Sequence, residues 1–290
     1  MERIRDEFTK IILSNEPKRG IELLHESGLL FHVTHELEKA IGVTQNQAHA
    51  YDVWEHLLRS LQHAADKNWG IEIRLAALFH DISKPKTKGI SRETGIITFY
   101  SHEMVGSRET RKILERMKFS REIIEKVVKL VRWHMFFSDT EIITLSAVRR
   151  MIANVGKDMI WDLVNLRICD RIGTGRPKEN PYRLRKYQAM IEQALKDPVS
   201  LAMLKIDGNR IMKVCDIKPG YKVGYILHAL FNEVLDNPKL NTEEQLDKRA
   251  KEMASLSDSE LKSIGEDGKE RKEEEQEREV SEIRNKYHVK

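Results

Sequence analysis

The sequence predicts an all-α protein with at most one small β-hairpin. Apolar residues recur at helical spacing in nearly every segment. Pro- and Gly-containing breaks punctuate the chain at intervals suited to helices. Only Ile96-Ile97-Thr98-Phe99-Tyr100, preceded by Glu93-Thr94-Gly95, reads as strand, and it suits half of a hairpin rather than a sheet.

In chain order, Ile4, Phe8, Ile11 and Ile12 form one apolar stripe. Ile21 and Leu24 form a second, which Gly28 ends. Val53, Leu57, Leu58 and Leu61 make a third face, opened by Asp52-x-x-Glu55 as a capping box. Leu75, Ala76, Leu78 and Phe79 make a fourth. Later helices stop at Gly173-Thr174-Gly175-Arg176-Pro177, restart after Asn180-Pro181, and break at Asp197-Pro198, Lys218-Pro219-Gly220 and Asn237-Pro238. From Thr242 onward Glu, Lys and Arg dominate and large apolar residues are few. Ser257-x-x-Glu260 suits a cap for a short helix there, and 269–290 reads as a solvated helix or a disordered tail. Val280 and Ile283 alone do not supply a coiled-coil seam. The expected organisation is an N-terminal helical segment over 1–45, a central domain over 46–176, a helical arm over 177–242 and a charged tail over 243–290.

The chain has 290 residues, 40% of them hydrophobic and 33% charged. That composition supports a core but leaves some region solvated. A net charge of +4 is compatible with an anionic ligand without demonstrating one. Cys169 and Cys215 lie far apart without zinc-finger spacing, which argues against a disulfide framework. The N-terminus has charges of both signs and no apolar core of a signal peptide, and no apolar run approaches a membrane span. The expected location is the cytoplasm.

Six residues suggest chemistry: His56, His80, Asp81, His102, His134 and Asp170. His56 lies on an amphipathic helix, and His80-Asp81 ends the next one after five apolar residues. Asp170 lies in the otherwise apolar stretch Leu163 to Cys169, where a carboxylate needs a partner because a buried unpaired charge is costly. Adjacent helical positions differ by about 100°, so His80 and Asp81 can approach one cation from different directions. Imidazole plus carboxylate suits a transition metal better than calcium.

The set, in this order, resembles the HD superfamily of metal-dependent phosphohydrolases. The matching segments are YDVWEHLL, LAALFHDISKP, SHEMVGS, VRWHM and LRICDRIG. The resemblance implies an HD-type helical bundle with N- and C-terminal helical extensions. It implies that His56, His80, Asp81 and Asp170 hold a first metal, and that His102 and His134 hold a second or contact phosphate. The cofactor would be one or two divalent ions, with Mn, Ni, Co, Fe, Mg and Zn not distinguished. Ser83 departs from the Gly that many relatives have in H-D-x-G-K, a change small enough to be tolerated. Lys84 matches the family lysine and reads as a cation facing substrate phosphate, against the alternative of a lysine serving a helix C-terminus. The implied reaction is hydrolysis of a phosphate ester by activated water, without a covalent enzyme intermediate.

The resemblance narrows further. ERIRDEFTKIILSNEPKRGIELLHESGLL, HELEKAIGVTQNQAHAYDVWEH and IDGNRIMKVCDIKPGYKVGYILHALFNEVLDNPKLNT are similar to the region of bacterial CCA-adding enzymes and poly(A) polymerases outside their nucleotidyltransferase head. Nothing before residue 50 suits that head, and Asp258 with Glu260, the nearest acidic pair of the right spacing, lies in a polar segment. Nucleotide addition by this chain alone is therefore not expected.

Two basic clusters are expected to converge on the metal site. One is Lys84, Lys86, Lys88 and Arg92; the other is Arg167, Arg171, Arg176, Lys178, Arg183, Arg185 and Lys186. Of these, Lys84, Lys86, Arg167, Arg171 and Arg176 are the candidate phosphate or substrate contacts, the alternative being solvated surface. Tyr182 and Tyr187 suit either base stacking or a helix interface. Residues 217–224 suit either a phosphate-binding turn or a plain interhelix turn. His25, His32, His35, His228 and His288 have no partner at ligand spacing, and His63, two helical turns after His56, suits the surface, the alternative being an approach to the pocket. His49 falls where the CCA-type relatives carry histidine, and that resemblance implies support of the site. The leading expectation is a hydrolase of nucleotide or RNA-end phosphates, such as a 2′,3′-cyclic phosphate, with tRNA as a candidate partner. The competing readings are an RNA-binding accessory subunit of a separate nucleotidyltransferase and a hydrolase of free nucleotides.

Overall fold

A computed structural model describes residues 2–45, 50–91, 95–136, 143–257 and 260–261. In chain order the helices are α1 (Glu2–Leu13), α2 (Pro17–Glu26), α3 (Leu30–Glu38), α4 (Val53–Asp66), α5 (Ile71–Phe79) and the short α6 (Lys84–Thr87). A two-stranded hairpin follows, β1 (Gly89–Ile90) pairing antiparallel with β2 (Ile97–Thr98), with Ile90 opposite Ile97. Then come α7 (His102–Arg116), α8 (Arg121–Trp133), α9 (Leu145–Val155), α10 (Ile160–Gly173), α11 (Tyr182–Ala194), α12 (Gly208–Cys215), α13 (Tyr221–Asp236) and α14 (Glu243–Ala254). Among the described residues the architecture is all-α with one small hairpin, as expected. Among the described residues no helix is long and apolar enough to cross a membrane.

Of the described residues, those within Met1–Asp139 and Asp158–Lys186 form one compact unit, and those within Thr140–Lys157 and Tyr187–Lys290 form another. In the first, α4 packs on α10, α5 and α2, while α8 packs on α5 and α7. Every residue of α5 from Ile73 to Phe79 is buried, which makes it the central helix. Arg74 of α5 is buried and its guanidinium donates to the carbonyls of Ile12, Ser14 and Trp69. It thereby satisfies carbonyls that the end of α1 leaves without helical partners. The N-terminal helices thus belong to the same unit as α4 and α5.

The Asp52 side chain caps α4 by accepting from Glu55 N–H at 2.8 Å. The reciprocal half of the expected capping box is absent: the Glu55 carboxylate turns outward to Lys18 and Arg59. His25, expected to lack a partner, meets Glu38 at 3.0 Å. His63, read as a surface residue, is buried against Trp69 and lies 3.7 Å from Glu179. The first joins α2 to α3, and the second ties α4 to the loops that follow α4 and α10.

In the second unit α12, α13 and α14 share a core that includes Ile211, Val223, Ile226, Leu230 and Val234. Helix α14 is packed rather than solvated, because Leu246, Ala250 and Met253 recur at helical spacing and are all buried. Leu261 is buried in the same core, and Ser257 and Glu260 form the expected capping box. Three apolar positions are enough to anchor a helix that looks wholly charged by composition. Tyr187 is buried and so is closed to base stacking, whereas Tyr182 is 67% exposed. Residues 217–220 are a turn leading into α13. His49, Arg92, His288, Asp258 and the segment 269–290 lie outside the described residues.

Candidate metal centre

The six sequence-selected residues come together inside the first unit. His56 sits on the inward face of α4, and His80 caps the C-terminus of α5, with Asp81 in the turn that follows. His102 is the first residue of α7, His134 caps the C-terminus of α8, and Asp170 lies in the last turn of α10. All six are buried. Helix ends supply half of the set, where a side chain can turn inward without breaking the apolar stripe of its helix.

These residues divide into two triads whose ligand atoms lie within 4.8 Å of one another: His56 with His80 and Asp170, and Asp81 with His102 and His134. Asp81 faces both. Its Oδ2 lies 3.2 Å from His56 Nε2 and 3.4 Å from His80 Nε2. Its Oδ1 lies 3.2 Å from His102 Nε2 and 3.6 Å from His134 Nε2. His56 Nε2 and His80 Nε2 approach to 2.8 Å, and Asp170 Oδ1 lies 3.6 Å from the former.

Backbone carbonyls orient three of the rings. His80 Nδ1 faces Ala77 O at 2.9 Å, His102 Nδ1 faces Phe99 O at 2.7 Å, and His134 Nδ1 faces Val131 O at 2.7 Å. A carbonyl only accepts, so Nδ1 carries the proton in each and Nε2 presents a lone pair. Burial pushes the His80 imidazole down to about 3, against the pull of Asp81, so this ring is neutral as a metal ligand must be. Burial opposes the charge of Asp81, yet the Lys84 ammonium holds its carboxyl well below the usual range. Asp170 is likewise held down by Arg167 against burial.

Asp81 Oδ1, His102 Nε2 and His134 Nε2 are buried without a hydrogen-bond partner. Three such atoms converging in one place are costly unless something binds them. Neutral imidazoles, carboxylates and orphaned lone pairs are the donor set of a divalent transition-metal site, so these residues fit one or two such ions.

The basic residues converge only in part. Lys84 is buried, with Nζ 2.6 Å from both Asp81 Oδ2 and Gln45 Oε1 and near the Phe99 ring. Arg167 donates to Asp170 Oδ2. Lys86, expected at the site, instead pairs with Glu109 at 2.5 Å, and Lys88 bonds Thr44. Arg171 donates to Lys178 O, and Arg176 is exposed just beyond α10.

Sequence reasoning missed three supporting residues. Gln45, just before the first undescribed segment, holds Lys84. Ser83, regarded as merely tolerated, is fully buried and donates to His102 O at 2.6 Å. Gly173, read only as a helix stop, lies against α4: a Cβ there would come within 2.1 Å of Ser60 Oγ and 2.7 Å of His56 O. For Gly173, its position three residues after Asp170 was the available signal.

Residues 53–181 match the HD domain family, and residues 1–41 match the family described as the probable RNA and SrmB-binding site of polymerase A. The chain is 34% identical over 250 residues to a CC-adding tRNA nucleotidyltransferase of Thermus thermophilus, covering 84% of this chain and 55% of that protein. It is 29% identical over 234 residues to an A-adding tRNA nucleotidyltransferase of Deinococcus radiodurans, covering 79% and 53%. A multifunctional CCA protein of Neisseria meningitidis is 28% identical over 202 residues, covering 67% and 47%. The chain spans about half the length of these relatives.

Proposed function

This chain carries an HD domain, and on that premise we propose that it is a metal-dependent phosphohydrolase acting on nucleotide or RNA-end phosphates, a 2′,3′-cyclic phosphate among them. The observation that carries the reading is Asp81, whose two oxygens face separate buried triads. His56, His80 and Asp170 would hold one ion and His102 with His134 a second, Asp81 serving both. When bound, such ions lower the pKa of water and polarise phosphoryl oxygens.

The chain's own residues supply the rest. The carbonyls of Ala77, Phe99 and Val131 fix His80, His102 and His134 with their lone pairs inward. Lys84, held by Gln45, is a buried cation beside Asp81 and is assigned to a phosphoryl oxygen of the substrate. Arg167 has the corresponding role beside Asp170, with Arg171 and Arg176 drawing anionic substrate toward the end of α10. Lys86 is left out of this assignment because Glu109 neutralises it.

The test is elemental analysis of the purified protein beside a panel of cyclic nucleotides, nucleoside monophosphates and tRNA ends. Asp81→Ala is expected to lose at least nine-tenths of bound metal and about 10³-fold in turnover, since one substitution strips both triads. Full metal content and rate in that variant would overturn the assignment. A second reading, an RNA-binding accessory subunit of a separate tRNA nucleotidyltransferase, is favoured by the N-terminal match and by the relatives' names. RNA binding by a metal-loaded protein that turns over nothing in the panel would select it.

A further inference from the structure

We infer that Ser83 is a positioning residue for the second metal site, tying the Asp81 turn to the helix that carries His102. The inference rests on the two-triad reading proposed above. Ser83 is fully buried, two residues beyond Asp81, and its hydroxyl donates to the main-chain carbonyl of His102 at 2.6 Å. His102 opens α7, and the preceding Ser101 has a left-handed backbone with φ 57°. A first helical residue lacks the support of a preceding turn, so its placement depends on other contacts. His102 draws on both sides: its ring and its N–H bond Phe99 O, its ring meets the edge of His134, and its carbonyl accepts from Ser83.

The fit on the other side is close. A Cβ at Gly106, one turn along α7, would stand 3.3 Å from Ser83 Oγ and 3.5 Å from His80 O. Glycine at 106 thus lets α7 lie directly on the turn, and the Ser83 hydroxyl fastens it there. The first triad has no such dependence. His56 and Asp170 belong to α4 and α10, and the His80 ring is fixed through Ala77 O. The hydroxyl therefore acts on the placement of His102, 3.2 Å from Asp81 Oδ1, while Asp81 Oδ2 keeps its place beside His56 and His80.

Mn2+ titration of the full chain tests this, using calorimetry for affinity and electron paramagnetic resonance for the spin-coupled ion pair. In Ser83→Ala the first ion is expected to bind within about twofold of wild type. The second is expected to weaken about tenfold, as loss of one buried supporting hydrogen bond allows, with the coupled signal reduced at limiting metal. Ser83→Gly, which removes the hydroxyl together with Cβ, should behave the same. Equal weakening of both ions, or no change in either, overturns the inference while leaving the two-triad reading intact. A wild-type protein that takes up one ion removes the site Ser83 is said to position and likewise overturns it. Uptake of none overturns both.

Discussion

At the residue scale, burial decides what each charged group can do. Asp81 is affordable in the interior because Lys84 and four imidazole nitrogens surround it, and the same surroundings make its oxygens good ligands. Glu36 meets a simpler version of the problem. It is buried, and Arg116 contacts it with two nitrogens at 2.7 and 2.8 Å. Burial works against its charge, but the guanidinium prevails and holds the carboxyl at about 2, below its ordinary 4.5. A depressed carboxyl stabilises the fold above its unfolded pKa, and that contribution disappears as pH falls through the folded value. Wild type is therefore expected to lose about 2 kcal/mol relative to Glu36→Gln between roughly pH 5 and pH 2, a figure discounted for the partly open Arg116. Urea unfolding midpoints across that range check it, and parallel curves for the two proteins would exclude the pair as a source of acid sensitivity.

At the element scale, the site depends on close helix crossings more than on loops. Helices α4 and α10 cross at Gly173, and α7 meets the Asp81 turn at Gly106, so the backbones approach where a side chain would separate them. Gly173→Ala is expected to destabilise the protein by about 1–3 kcal/mol through overpacking, although alanine is the better helix former. It should also reduce metal uptake, because α10 carries Asp170 and α4 carries His56. Urea titration with parallel metal analysis reads both effects. A variant as stable as wild type with full metal content would mean that the crossing yields without cost. The same scale explains the loop lysines: Glu109 on α7 and Thr44 near the start of the domain capture Lys86 and Lys88.

At the scale of the whole molecule, the described chain forms two units with separate cores. All six candidate ligands lie in the first. Leu246→Ala, in the core of the second, is expected to cost about 2–4 kcal/mol by leaving a cavity. Metal stoichiometry should stay at the wild-type value, and calorimetry followed by elemental analysis measures both. Loss of bound metal in that variant would show that the first unit depends on the second.

The sequence by itself determined the fold class, the breaks at Gly173, Asn180-Pro181 and Asn237-Pro238, the Asp52 cap and the membership of the six-residue cluster. These are legible because helical periodicity, caps and breakers act over a few residues, and because buried histidines and carboxylates stand out against apolar surroundings. Only the tertiary structure decided that Asp81 divides its oxygens between two triads and that Ser83 holds His102. It also decided that Gly173 is a contact, that Lys86 belongs to Glu109, and that α14 is packed. Each of those is a relation between residues distant in the chain, set by which helix faces meet. Local spacing names the candidate positions, as Leu246, Ala250 and Met253 do on α14, but not the faces they meet.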